Sequence, residues 1–119
     1  HLKHKFILCI EGNDVASNLK WVMSSNSVAV MPKPKFESWF MENMLIPDYH
    51  YIHIKDDYSD LEEKLKFYIK NTEKLQQISI NANNYVNQFR DYNDEKIISL
   101  LVMEKFFCLT NQKKSLIDF

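Results

Sequence analysis

Short continuous apolar runs characterise the first half of the chain. Three of them, Lys5–Ile10 (KFILCI), Ser27–Met31 (SVAVM) and Tyr51–Ile54 (YIHI), are rich in residues that favour β-structure. Such runs are typical of strands covered on both faces, as in parallel sheets. Pro32 and Pro34 end the second run, because proline cannot donate a hydrogen bond to a neighbouring strand. The pattern predicts three buried strands.

The segments between these runs have helical character. Glu11–Asp14 is a turn signal, and apolar residues recur at helical spacing in the following segment, Val15–Ser25. A shorter helix is predicted over Phe36–Asn43, ending before Pro47. The resulting order, β-α-β-α-β, predicts an α/β fold with a small Rossmann-like parallel sheet of about three strands and right-handed crossovers.

Beyond the third strand only helical patterns remain. Ser59–Glu62 has the spacing of a capping box and predicts a helix that ends near Asn71. Two more amphipathic helices are predicted over Thr72–Phe89 and Asn93–Leu109, with Asn93 as the N-cap of the second. We therefore expect the chain to finish in helices that cover the sheet or pack against a partner.

Length and composition are those of one globular domain. The chain has 119 residues, of which 45% are hydrophobic and 26% charged, enough apolar surface for a single core. We assign residues 1–119 to a single domain, with an α/β part at 5–58 and a helical tail at 59–119.

The charges nearly balance, with 15 basic and 16 acidic residues and a net charge of −1. Such a chain has no long-range field to attract nucleic acid or anionic lipid, so we expect no nucleic-acid partner. No apolar run approaches the roughly 20 residues that span a bilayer, and the start of the sequence lacks a signal-peptide pattern. We expect no transmembrane segment and a cytoplasmic or peripheral location.

The turn after the first strand is the main candidate for chemistry. In α/β sheets, backbone N–H groups and a helix N-terminus point at an anion bound there. Gly12, the one glycine of the chain, lets the backbone approach a ligand closely. Asn13 and Ser17 can donate to oxygen ligands, and Lys20 places a cation about one turn after Ser17. A phosphate site is one interpretation, and a purely structural turn is the other.

Other site types are less well supported by the sequence. The turn lacks the second glycine of a Walker loop and the glycines of the dinucleotide fingerprint. His50 and His53 lie three residues apart in a predicted strand and would point to opposite faces, so we expect no metal site. The acidic residues near the start of the third helix suit compensation of the helix dipole better than catalysis; they are Asp56, Asp57, Asp60, Glu62 and Glu63.

The cysteines and aromatic residues are expected in the core. Cys9 and Cys108 each have apolar neighbours, which favours buried reduced thiols over a disulfide. Large aromatic side chains are more often core than ligand platforms, although one at the mouth of a cleft can stack on a base or sugar. This expectation covers Trp21, Trp39, Phe40, Tyr49 and Tyr51.

Two stretches, IEGNDVASNLKWVMSSNSVAVMPKP and WFMENMLIPDYHYIHIKDDYSDLEEKLKFYI, resemble the C-terminal half of glycosyltransferase family 90. This family contains lipopolysaccharide core glycosyltransferases, fungal capsule-associated proteins and animal protein O-glucosyltransferases. The similarity covers about Lys5 to Phe89 and lies closest to the bacterial lipopolysaccharide branch. It consists of an ordered series of short motifs, from the E-G-N loop to the D-x-S-D-L segment.

The resemblance implies the C-terminal part of a GT-B enzyme, which grips a nucleoside-diphosphate sugar. A UDP-sugar is the expected donor, a lipopolysaccharide or lipid-linked saccharide the acceptor, and no cofactor is expected. Many members carry an arginine beside the diphosphate where this chain has Asn18, which leaves Lys20 as the nearest cation. Catalytic residues would lie in an N-terminal domain. The donor-binding loop falls on Gly12, Asn13, Asp14, Val15, Ala16, Ser17 and Asn18, with Lys20 close behind.

Two other functions remain open. In the first, the chain is a non-catalytic interaction module whose working surface is the helices from Ser59 onward. In the second, it is a different α/β ligand-binding domain, such as a receiver; this ranks last because no phosphorylatable aspartate can be placed at a central strand end.

Overall fold

The computed structural model describes residues 3–112 of the chain. Within that range it contains three β-strands, four α-helices and one short 3-10 helix. The chain divides into two compact units, residues 1–87 and 88–119, which we describe separately. In chain order the elements are β1 (Phe6–Leu8), α1 (Leu19–Met23), β2 (Val28–Met31), the 3-10 helix (Glu42–Met44), β3 (Ile52–His53), α2 (Leu61–Lys70), α3 (Thr72–Asn87) and α4 (Tyr92–Leu109).

The three strands form one parallel sheet in the order β1-β2-β3. Ile7 is in register with Ala29, and Val30 is in register with Ile52. All four residues of β2 are buried, as expected for a central strand covered on both faces. The α/β class and the small parallel sheet predicted from the apolar runs are therefore confirmed, although each strand is shorter than its run.

The core of the first unit lies between one face of the sheet and the helices that follow it. Val28 and Val30 alternate along β2 and so share one face, where they join side chains from β3, α2 and α3. The cluster is completed by Ile52, Ile54, Tyr68, Leu75 and Ile78. Helix α1 buries Leu19, Val22 and Met23. The apolar faces predicted for these helices thus supply the core.

The first predicted helix begins later than its apolar pattern suggests. Helix α1 starts at Leu19, four residues after Val15, and has 5 residues. Before the helix, the side-chain amide of Asn18 donates from Nδ2 to the backbone carbonyl of Leu8 at 2.9 Å. This bond anchors the loop to β1. The segment from Gly12 to Asn18 is therefore a loop that crosses the end of the sheet.

The helix predicted over Phe36–Asn43 is wrong; only the 3-10 helix at Glu42–Met44 forms there. The carboxylate of Glu42 accepts hydrogen bonds from the backbone N–H and the hydroxyl of Ser38, at 2.6 and 2.8 Å. Met41 has a φ of 53°, in the left-handed region. The hydrogen bonds from Ser38 to Glu42 and the left-handed backbone of Met41 take the place of helical hydrogen bonds. The segment is therefore a loop that folds around the buried carboxylate of Glu42.

Two predicted helix caps are also wrong. Asp60, not Ser59, is the N-cap of α2, and its carboxylate accepts from the N–H of Lys55 at 2.8 Å instead of capping the helix. In α4 the N-cap is Asp91, whose side chain accepts from the N–H groups of Asn93 and Asp94. The N-cap is therefore Asp91, two residues before Asn93, and aspartate is among the residues favoured at N-caps.

In the second unit, α4 exposes apolar side chains over most of its length. The prediction of an amphipathic helix is wrong here, because apolar residues occupy successive positions around the helix instead of one face. In the described part of the chain, no helix is long and apolar enough to cross a membrane. The exposed set comprises Ile97, Ile98, Leu100, Leu101, Val102, Met103, Phe106 and Leu109.

Candidate functional site

A cleft of about 160 Å³ opens at the carboxyl end of the sheet. The loops that follow β1, β2 and β3 form it together, as expected because parallel strands end at the same edge. Its volume is below the roughly 300–1,000 Å³ of a complete small-molecule site. It can therefore enclose only part of a small-molecule ligand of ordinary size. The lining comes from Cys9, Ile10, Glu11, Gly12, Ala16, Leu19, Met31–Phe36, Glu42, Asp56 and Tyr58.

Gly12 lines this cleft and faces open space. A Cβ atom built on it would meet no atom within 4 Å, and its φ does not lie in the left-handed region. The fold therefore does not require glycine at this position. What the missing side chain provides is room for another molecule to approach the backbone.

The other residues of the predicted donor loop divide between the cleft and its outer side. Buried Ala16 lines the cleft, whereas the side-chain amide of Asn18 donates to the carbonyl of Leu8 and does not line the cleft. Asp14 folds the turn, because its carboxylate accepts from the N–H of Val15 at 2.7 Å and its carbonyl accepts from the N–H of Gly12 at 3.3 Å. Outside the lining lie Asn13, Asp14, Val15, Ser17 and Asn18.

Lys20 also lies outside the lining, and it pairs with a buried carboxylate. Its Nζ atom is 3.2 Å from Oε1 of Glu42, whose side chain is 1% exposed. Burial by itself would raise the pKa of Glu42, but hydrogen bonds from Ser38 and Lys20 outweigh it and hold the pKa below its ordinary value. Glu42 is therefore ionised at neutral pH, and the positive charge of Lys20 is paired with its carboxylate.

Glu11 ties two walls of the cleft together. Its carboxylate accepts from the N–H of Lys35 at 3.2 and 3.0 Å, and from the N–H of Phe36 at 3.2 Å. These charge-assisted bonds join the loop after β1 to the loop after β2. This contact links positions 24 residues apart, so no local pattern of the sequence predicts it.

The lysines of the cleft come from the loop after β2. Lys33 and Lys35 both line it, and Nζ of Lys35 lies 3.0 Å from Oδ2 of Asp56 in the loop after β3. Across residues 3–112, no carboxylate pairs with Lys33. Neither lysine was predicted as a site residue, although both follow the second strand, and loops after parallel strands share one edge of the sheet.

The histidines and cysteines lie elsewhere. His50 precedes β3 and is buried, and its Nδ1 atom accepts from the N–H of Ile46 at 2.9 Å. In residues 3–112 no group of three His, Cys, Asp or Glu side chains is placed to hold a metal ion. Both cysteines are free: Cys9 is buried as predicted, whereas Cys108 is only half-buried.

The expectation of core aromatic residues is only partly correct. Phe40 and Tyr51 are buried, but Trp21 is 38%, Trp39 64% and Tyr49 50% exposed. Trp39 packs edge-on against Phe40, and Nζ of Lys20 lies 5.4 Å from the centroids of both rings. The exposed indole thus lies within cation–π distance of the Lys20 ammonium.

Comparison with known proteins gives the chain a family. The model of glycosyl transferase family 90 matches residues 1–100. An O-glucosyltransferase LpsA of Dichelobacter nodosus is 44% identical over 108 residues, which are 91% of this chain and 34% of that protein. An uncharacterized protein, 179R, of Invertebrate iridescent virus 6 is 34% identical over 87 residues, 67% of this chain and 7% of its own length.

The chain spans about a third of the length of the LpsA protein. No solved structure matches it. The family match covers the sheet, the cleft and the first helices together, and it agrees with the resemblance found in the motifs. This chain belongs to glycosyl transferase family 90.

Proposed function

We propose that the chain is the donor-binding part of a GT-B glycosyltransferase, which transfers a sugar to a hydroxyl of a lipopolysaccharide or lipid-linked saccharide acceptor. The observation that carries the proposal is the cleft at the carboxyl end of the sheet, where Gly12 leaves room for a ligand beside the backbone. Family membership supports glycosyl transfer as the reaction. The name of the relative, an O-glucosyltransferase, favours glucose as the sugar.

The donor is a nucleoside-diphosphate sugar, and a UDP-sugar is the form we expect. Sugar transfer breaks the bond between the sugar and the diphosphate, so negative charge develops on the departing oxygen. Backbone N–H groups and a lysine at the cleft would stabilise that charge without a metal. The size of the cleft supports a role for this chain in holding the diphosphate while other parts of the protein enclose the rest of the donor.

The acceptor and the group that activates its hydroxyl belong, in this proposal, to the remainder of the protein. Activation of a hydroxyl requires a base within hydrogen-bond reach of it. The carboxylates of the cleft do not suit this role, because Glu11 and Glu42 already accept hydrogen bonds and Asp56 pairs with Lys35. The chain alone is then expected to bind donor without turnover. A cytoplasmic location, or a peripheral one at the inner membrane, accompanies this proposal.

One observation favours a second function, that of a protein-interaction module. The apolar side chains of α4 are exposed over most of its length, and such patches commonly mark interaction surfaces. A chain that binds a defined protein through α4 and no nucleotide would support this alternative.

The test is a titration of the ¹⁵N-labelled chain with a panel of nucleoside diphosphates and their sugars, followed by backbone amide shifts. Saturable shifts at Gly12, Ala16, Lys33, Lys35 and Phe36, with preference for one base, are the expected result. The matched variants are Gly12→Ala, which fills the open space, and Asn84→Ala, an exposed substitution on α3.

Gly12→Ala should unfold at the wild-type temperature, because its Cβ meets nothing in the free protein, and should bind more weakly. Asn84→Ala should match the wild type in both measurements. Absence of shifts at the cleft with every nucleotide, at millimolar concentration, would contradict donor binding by this chain.

A further inference from the structure

Among the described residues, one cation that lines the cleft, Lys33, has no ion-pair partner. Lys20 is paired with the buried carboxylate of Glu42, and Lys35 is paired with Asp56. Lys33 is exposed and lines the cleft, and among the described residues it has no ion-pair partner. Its charge is therefore available to a bound anion without breaking a contact of the fold.

The acidic residues of the same lining do not cancel that charge. Ion pairs neutralise Glu42 and Asp56. The carboxylate of Glu11 remains, but both of its oxygens accept from the N–H groups of Lys35 and Phe36. Hydrogen bonds from oriented N–H dipoles stabilise a carboxylate and weaken its effect on a neighbouring anion.

The loop that carries Lys33 is held in one place. Pro32 and Pro34 flank the lysine and each fixes its own φ, which removes two soft torsions from the loop. The bonds from Lys35 and Phe36 to Glu11 fasten the far end of the loop to the loop after β1. A cation on a restrained loop loses less conformational entropy when it binds a ligand.

We propose that Lys33, and not Lys20, binds the diphosphate of the donor, and that Glu11 is a positioning residue that holds Lys33 at the cleft through the Pro32–Phe36 loop. This inference rests on the proposed function and assigns its cation. It also moves the charge expected after the first turn to the loop after the central strand. The ligand class is a pyrophosphate group, as in a nucleoside diphosphate.

The first experiment compares the affinity for UDP and for uridine of the wild-type chain, Lys33→Gln and the control Lys66→Gln, by amide-shift titration. Lys66 pairs with Glu62 on the exposed face of α2 and does not line the cleft. Loss of one charge-assisted bond should weaken UDP binding of Lys33→Gln by about tenfold or more. Uridine binding should be unchanged in Lys33→Gln, and Lys66→Gln should match the wild type for both ligands.

The second experiment tests Glu11 with the pair Glu11→Ala and Glu11→Gln. Glutamine keeps an oxygen that can accept from the N–H groups of Lys35 and Phe36, whereas alanine does not. Amide exchange at Lys35 and Phe36 should accelerate in Glu11→Ala and return towards the wild-type rate in Glu11→Gln. UDP affinity should follow the same order, while uridine affinity stays constant.

The outcomes separate this inference from the proposed function. If the wild-type chain binds UDP and Lys33→Gln binds it equally well, Lys33 is not the diphosphate ligand and only this inference fails. If Glu11→Ala loosens the loop without weakening UDP binding, the positioning role of Glu11 fails. If the wild-type chain binds no nucleoside diphosphate at all, the proposed function fails and this inference fails with it.

Discussion

Lys20 and Glu42 are joined by an ion pair of 3.2 Å, although 22 residues separate them in the sequence. Lys20 belongs to α1, and Glu42 begins the 3-10 helix of the following loop. The same carboxylate accepts hydrogen bonds from Ser38, so it joins α1 to the loop between β2 and the 3-10 helix. The pair therefore fixes the position at which Glu42 lines the cleft.

Replacement of Lys20 by alanine should lower the free energy of unfolding by about 1–3 kcal/mol, because Glu42 would stay buried and lose its cation. Urea denaturation of the chain measures the change. The control is Lys66→Ala, which removes an exposed pair with Glu62 and should change stability by no more than about 0.5 kcal/mol. Equal changes in the free energy of unfolding for the two substitutions would show that the buried pair contributes no more to stability than an exposed one.

Tyr85 should stabilise the loop that carries the 3-10 helix. Its hydroxyl lies 2.7 Å from the carbonyl of Phe40 and 2.8 Å from that of Met41, so it links α3 to the loop. Tyr85→Phe keeps the ring and removes the donor, which should cost about 1 kcal/mol in the free energy of unfolding. The measurement is again urea denaturation, and a Tyr85→Phe variant as stable as the wild type would contradict the assignment.

Stability should fall with pH as His50 becomes protonated. Burial lowers the pKa of His50 below its ordinary value of 6.5, and the ring must be neutral to accept from the N–H of Ile46. The unfolded chain therefore binds more protons than the folded one once pH falls below about 6.5. The stability that neutral His50 contributes is present above that pH and is lost as pH falls through the folded pKa.

His50→Asn isolates this contribution, because asparagine can accept a similar bond and does not titrate. Unfolding free energies measured from about pH 7.5 to about pH 5 should decline less steeply in His50→Asn than in the wild type. A His50 pKa above 6.5 in an NMR titration of the ring protons would overturn the prediction.

Cys9 should resist thiol reagents in the folded protein. It is 1% exposed, and burial raises the pKa of its thiol to about 12, so almost no thiolate is present at neutral pH. Half-buried Cys108 should react first with an aromatic disulfide reagent, and Cys9 only after urea is added. Mass spectrometry of the labelled peptides identifies the order. Rapid labelling of Cys9 without denaturant would disprove it.

The three strands and the helices α1 to α4 could be predicted in their order from the sequence, because apolar periodicity is a local property of each segment, whereas the helix predicted over Phe36–Asn43 does not form. The apolar run at Ser27–Met31 predicted a strand, and the capping-box segment at Ser59–Glu62 predicted a helix that ends near Asn71; the structure has β2 and α2 there. The turn at Gly12 was located correctly for the same reason, since a glycine between a strand and a polar segment is a local signal.

The partners of the charged side chains could not be predicted, because they depend on contacts between distant segments. A local pattern placed Lys20 near a phosphate, but folding brought it to Glu42, 22 residues away. It likewise brought Glu11 to the loop that carries Lys33. The sequence by itself determined three parallel strands and the loops at their ends. Only the tertiary structure decided which lysines line the cleft and which is paired with a buried carboxylate, because a buried carboxylate requires a cation and takes the one that packing places beside it.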